Sequence, residues 1–141
     1  MTPGELQKRR VLSFLTLAEE ELAVAIEIKE KHNRQAAYFL QQSVEKMVRG
    51  VLETETIPAG PMHSIRGLAA LLPQGHRFSD RFVEFDELSS AATRYRYPSP
   101  QGGLIGFNED RLRHLIIQVQ HLLEEVSPVL RNFVPRDDTH A

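Results

Sequence analysis

The segment Arg94-Tyr95-Arg96-Tyr97-Pro98 holds the residues best suited to chemistry on an anion. A guanidinium is a planar fork that grips phosphate oxygens in pairs, and a tyrosine ring offers a face on which a base can stack. Pro98 turns Tyr97 away from α-helical dihedrals, so a helix must stop there and its last side chains splay apart. The same residues admit a plainer use. Tyr95 can pack in a core while Arg94 and Arg96 sit at a helix C-terminus, where the backbone dipole favours cations.

A second polar set is Gln42, Glu45, Lys46 and Arg49. Gln42, Glu45 and Arg49 recur at i, i+3 and i+7, which places them on one stripe of a helix. On spacing alone this reads as a solvated face carrying a Glu45–Arg49 pair at i,i+4, of the weak kind common on helix surfaces. Other chemistries lack their residues. Glu-x-x-His pairs, the mark of a di-metal bundle, do not occur. His114 and His121 share a helix face but stand roughly 10 Å apart along its axis, too far for one ion. Neither a metal nor a cofactor is expected. No motif activates Ser43 or Ser64 as a nucleophile, and Ser64 reads as a helix N-cap. Gly102-Gly103 lacks the Lys and spacing of a phosphate-binding loop and reads as a flexible connection. The absence of cysteine removes disulfides, thiolate metal sites and a thiol nucleophile.

The elements that must position these residues are helices. Val11, Leu15, Ala18, Leu22 and Ala25 step by four and three, with Glu19, Glu20, Glu27 and Lys31 mostly off that face. Asn33 reads as the stop of this helix and the N-cap of the next. Ala37, Leu40, Val44, Met47 and Val51 repeat the rhythm to about Glu55, where Ile57-Pro58-Ala59-Gly60-Pro61 is a loop. Ser64 caps a short helix through Leu72, closed by Pro73-Gln74-Gly75. Ser79 caps another that starts at Asp80, carries Phe82, Phe85, Leu88, Ala92 and Tyr95, and ends before Pro98. Asn108 caps the last, whose core positions are Leu112, Leu115, Val119, Leu122, Val126, Val129 and Phe133. Pro128 within it should kink or unwind the helix. The fold class is therefore all-α, an antiparallel up-and-down four-helix bundle with a short additional helix. Residues 1–134 form this one domain, and Pro135 to Ala141 is a disordered tail.

Composition agrees. The 141 residues are 41% hydrophobic and 26% charged, an ordinary globular balance. The net charge of -2 leaves no overall basic footprint, though a local one is compatible with it. Lys8-Arg9-Arg10 before Val11 to Ala18 looks briefly like a leader, but Glu19, Glu20 and Glu21 interrupt the apolar run. No stretch reaches the ~18 apolar residues of a membrane span, so a cytoplasmic location is expected.

Three of these segments together resemble the HEPN family of nucleotide- and RNA-associated helical bundles. The first is Ala37-Tyr38-Phe39-Leu40-Gln41-Gln42-Ser43-Val44-Glu45-Lys46-Met47-Val48-Arg49, similar to the family's Ala, later Gln, then Glu-Lys and a basic residue. His63-Ser64-Ile65 with Leu68 and Leu71-Leu72 resembles its His-x-apolar opening of a short third helix. Tyr95-Arg96-Tyr97-Pro98 resembles its Arg-Tyr-Pro stop. The order agrees from about Glu5 to Val134.

The resemblance implies a bundle that is commonly a homodimer and is associated with nucleotides or RNA. It also implies a small nucleotidyltransferase partner, as in toxin–antitoxin or defence systems. It makes Arg96, Tyr97, Arg94, Arg49 and His63 the expected phosphate and nucleotide contacts. Active relatives are metal-independent ribonucleases marked by an Arg followed by a His after four to six residues. Their His exchanges protons with the ribose hydroxyl and their Arg steadies the phosphate. No arginine here has such a histidine: Arg136 and His140 are too close, Arg113 and His121 too far. No catalytic residue is therefore assigned, and a non-catalytic binding module is the expectation. Two alternatives are a ribonuclease whose site is completed across a dimer by His63 or His114, and a purely structural helix-pairing module.

Overall fold

The first helix starts where Pro3 meets a capping box. Thr2 Oγ1 accepts from the Glu5 amide at 3.1 Å, and Glu5 Oε2 accepts from the Thr2 amide at 3.4 Å. In the computed structural model, which describes residues 1–136 but not the side chains of Ala91 and Ala92, six helical segments follow in order. They are α1 (Pro3–Ile28), α2 (Asn33–Thr54), α3 (Ile65–Ala69), α4 (Ser79–Val83), α5 (Glu87–Arg96) and α6 (Glu109–Arg131). Most of the expected tail, residues 137–141, lies outside the described residues, as do His140 and the expected packing of Ala92.

The three long helices bury the faces that their periodicity marks. Val11, Leu15, Ala18, Leu22 and Ala25 of α1, and Ala37, Leu40, Val44, Met47 and Val51 of α2, all enter one core. Cross-links between α1 and α2 pair early residues with late ones: Arg10 with Glu53, Ala18 with Ser43. The two helices are therefore antiparallel. The N-terminal end of α2 touches the end of α5, through Arg34 and the Tyr95 carbonyl, and the start of α6, through Asn33 Nδ2 and the Phe107 carbonyl at 2.7 Å. So α5 runs antiparallel to α2, and α6 parallel to it. Helix α2 is central, packing against α1, α3, α5 and α6. Gly50 lets α2 lie close to both α1 and α6. A Cβ there would stand 3.0 Å from Leu130 Cδ1 and 3.3 Å from Phe14 Cβ.

Helix ends agree with expectation at two caps and differ at others. Ser64 Oγ accepts from the Gly67 amide at 2.8 Å, and Asn108 Oδ1 from the Arg111 amide at 2.8 Å. Asn33 is not the N-cap of α2 but its first residue. Its side chain is spent on the Phe107 carbonyl, and His32 takes the cap position without a side-chain bond. The C-terminus of α2 closes with the Ile57 amide on the Leu52 carbonyl (3.0 Å) and the Thr56 amide on the Glu53 carbonyl (3.1 Å). Thr56 holds the left-handed position usually given to Gly, with φ of 58°, and its Oγ1 accepts from Gln7 Nε2 at 3.1 Å. Helix α6 runs through Pro128 and ends three residues later. The proline lies on the exposed side, where water can serve the carbonyl that it leaves without a donor. Lys8 Nζ donates to the Arg131 and Phe133 carbonyls and so closes the end of α6.

The single helix expected from Asp80 to Tyr95 is instead two, α4 and α5, and Phe78 rather than Ser79 precedes the first. The spacing of Phe82, Phe85 and Leu88 explains the break. In an α-helix residues three apart drift by about 60° around the axis, whereas a 3₁₀ turn of three residues stacks them on one line. The bonds between are of the short kind: Phe85 amide to Phe82 carbonyl, Asp86 to Val83 and Leu88 to Phe85, each 3.0 Å. All three apolar side chains are thereby fully buried. The bend also frees Asp86 to accept from the Arg66 amide at 2.9 Å, which ties α3 to the start of α5.

Candidate functional site

Polar residues on α2 at Tyr38, Gln41, Gln42 and Glu45 fall at i, i+3, i+4 and i+7, one stripe between the faces that meet α1 and α5. They line a cleft of about 400 Å³, completed by His63 and Ser64 before α3 and by Ser89, Thr93 and Arg96 of α5. That size suits a small ligand or a piece of a larger one.

The face expected to be solvated at Gln42, Glu45 and Arg49 is only partly so: Glu45 is buried, and Gln42 and Arg49 are half-buried. Gln41 and Glu45 are each only 4% exposed, because the loop before α3 folds over them. The expected Glu45–Arg49 pair is present, with Arg49 Nε 3.3 Å from Glu45 Oε2. Arg49 also donates to the Gly60 carbonyl at 3.3 Å and to the Met62 carbonyl, so it fastens the covering loop to α2. Gln41 Nε2 donates to Glu45 Oε1 at 3.3 Å and to the His63 carbonyl at 3.4 Å. Gln42 Nε2 donates to Gln41 Oε1 at 2.7 Å, and Lys46 Nζ links Gln42 Oε1 (3.1 Å) to Glu21 Oε1 (3.0 Å) on α1. A hydrogen-bonded ladder thus runs along α2 and satisfies the buried polar groups, as burial requires. Burial raises Glu21 above the usual carboxylate range despite the Lys46 ammonium beside it.

His63 stands at the rim. Its ring is 78% exposed, with Nδ1 3.5 Å from Glu45 Oε1. Arg96, the last residue of α5, occupies the opposite rim. Its guanidinium lies 5.5 Å from the Tyr38 ring centroid and 5.8 Å from that of Tyr97. Among the described residues it has no carboxylate partner, so its charge stays available to an anion. Tyr97 takes extended dihedrals, φ of -130° and ψ of 155°, as the following proline demands, and is 59% exposed. Tyr95 turns inward, with its ring edge-on to Phe107 at 5.1 Å, and burial pushes its phenol above the ordinary value.

The cleft therefore unites Arg96 and His63 among the five expected contacts. Tyr97 flanks Arg96 from outside the lining, Arg94 is exposed beyond it, and Arg49 is engaged beneath it with Glu45 and the loop carbonyls. Spacing alone did not single out Tyr38, Gln41, Ser89 or Thr93. The available signal was that α2 has apolar residues on most sides, so its polar residues face protein as well as water. Among the described residues no group of three acidic or histidine side chains could hold a metal ion, and no helix is long and apolar enough to cross a membrane.

The family model for the HEPN domain matches residues 11–129, most of the chain and every element that builds the cleft. The chain belongs to the HEPN family. Membership makes this HEPN chain a helical module of a nucleotide- and RNA-related kind, in keeping with the all-helical bundle. No curated protein and no solved structure was found to match it.

Proposed function

We propose that this HEPN chain is a non-catalytic module that binds a nucleotide or RNA by seating a phosphate on Arg96. The observation that carries the reading is the Arg96 guanidinium, free of any carboxylate among the described residues, held beside Tyr38 and Tyr97 at the rim of a cleft rich in hydrogen-bonding groups. Such a guanidinium recognises phosphate oxygens, and the adjoining rings offer faces for a base. Gln42, Ser89 and Thr93 supply donors and acceptors for base or ribose. The same reading includes a homodimer and a minimal nucleotidyltransferase partner of the toxin–antitoxin or defence type. Sedimentation and co-purification test those two parts.

Arg96→Ala should weaken binding of a short RNA by about 1–3 kcal/mol, the worth of a charge-assisted bond. Arg94→Ala, outside the cleft, should change it far less. Fluorescence anisotropy with a labelled RNA reads both, and equal effects of the two variants would remove Arg96 from the site. The pairing of His63 with buried Glu45 favours a second reading, a metal-independent ribonuclease completed across a dimer. A carboxylate orients an imidazole for proton transfer in such sites. RNA cleavage in the presence of a chelator, abolished in His63→Ala, would establish that reading in place of the first.

A further inference from the structure

Arg96 and Tyr38 also line a second hollow, of about 410 Å³. Its other walls are Arg34, Gln35, Phe39 and Tyr95. None of these six described residues is acidic. Among the described residues Arg34, near the start of α2, has a single polar contact, Nη1 to the Tyr95 carbonyl at 3.5 Å, and no carboxylate partner. Tyr38 lines both hollows and Phe39 only the second, and the two rings meet edge to face, 5.5 Å between centroids at 70°. Each hollow thus offers an aromatic wall and the two share one cation, while the second hollow adds a cation of its own.

We infer that the two hollows are adjoining subsites for consecutive nucleotides of a single strand, with the linking phosphate on Arg96 and a further phosphate on Arg34. The inference rests on the phosphate-binding reading above and deepens it. A mononucleotide would engage Arg96 and one aromatic wall and leave the other hollow unfilled. A strand engages both, because stacking accepts any base and each cation meets one phosphate.

The test compares a nucleoside monophosphate, a 5′-phosphorylated dinucleotide and a five-nucleotide RNA by calorimetric titration at one fixed salt concentration. The dinucleotide should bind about tenfold or more tighter than the monophosphate, as one additional stacked base implies. Arg34→Ala should cut that advantage several-fold by removing the contact to the further phosphate, and should cost the dinucleotide more than the monophosphate, whereas Arg96→Ala should weaken both ligands. Arg34→Gln, which keeps a side-chain donor for the Tyr95 carbonyl, serves if the alanine variant unfolds, and should behave likewise. Equal affinity for monophosphate and dinucleotide, or equal loss of both in the Arg34 variants, would overturn the two-subsite arrangement while leaving the Arg96 site intact. A five-nucleotide RNA that binds no better than the monophosphate would also count against a strand. Failure of every ligand to bind would instead overturn the phosphate-binding reading itself.

Discussion

Glu45→Ala is expected to cost about 3 kcal/mol of stability, near the lower end for breaking a buried ion pair. The Glu45 side chain is 5% exposed and that of Arg49 15%. Removing the carboxylate leaves a mostly buried guanidinium with only the Gly60 and Met62 carbonyls as partners, and it takes an acceptor from Gln41. The low end applies because Arg49 retains some access to water and those carbonyls share its charge. Chemical denaturation reads the effect as a lowered midpoint with an unchanged slope. The double variant Glu45→Ala with Arg49→Ala should lose less than the sum of the single ones, since the second change removes the stranded cation. A loss below about 1 kcal/mol in Glu45→Ala would mean that the pair behaves like an ordinary exposed one.

Phe85→Ala should destabilise the fold by about 3–5 kcal/mol, the range for emptying an aromatic site in a packed core. Phe85 is 1% exposed and sits in the 3₁₀ turns that join α4 to α5. Its burial sets the direction in which α5 leaves that join, and α5 carries Ser89, Thr93 and Arg96 to the cleft. The variant should therefore weaken RNA binding as well, through misplacement of Arg96. Phe85→Leu, which keeps most of the apolar volume, should cost less on both counts. Urea unfolding and anisotropy measure the two effects. A small stability change would show that the turn from Glu84 to Leu88 is not built around this ring.

The long helices were legible because each buries one face, and one face leaves a period. The positions marked on α1 and α2, and those from Leu112 to Val126 on α6, all lie in the core, with Val129 and Phe133 partly buried against it. The caps at Ser64 and Asn108 were legible because a side-chain oxygen before an apolar run has few other uses. What escaped depends on distant parts of the chain. Nothing local to Gln41 or Glu45 announces that residues 60–64 will cover them. Asn33 was misread because its side chain answers a carbonyl 74 residues away, at Phe107. The break between α4 and α5 was written in the three-residue spacing of Phe82, Phe85 and Leu88, yet a window long enough to reach Tyr95 averages it into one helix. Of the site, Arg96 and the bend at Tyr97 were visible from Pro98. The Tyr38 wall was not, since a tyrosine on an apolar helix looks like core.

On the proposed reading, the cleft between α2, α3 and α5 receives a nucleotide phosphate at Arg96. Amide and side-chain NMR shifts, followed while a short single-stranded RNA is titrated into the isotope-labelled protein, test it most directly. The predicted result is saturable change concentrated at Tyr38, Gln41, Gln42, His63, Thr93 and Arg96, and absent from the same titration of Arg96→Ala. Saturable change centred elsewhere, for example on the exposed face of α6 around Arg113 and His121, or no change at all, would contradict it.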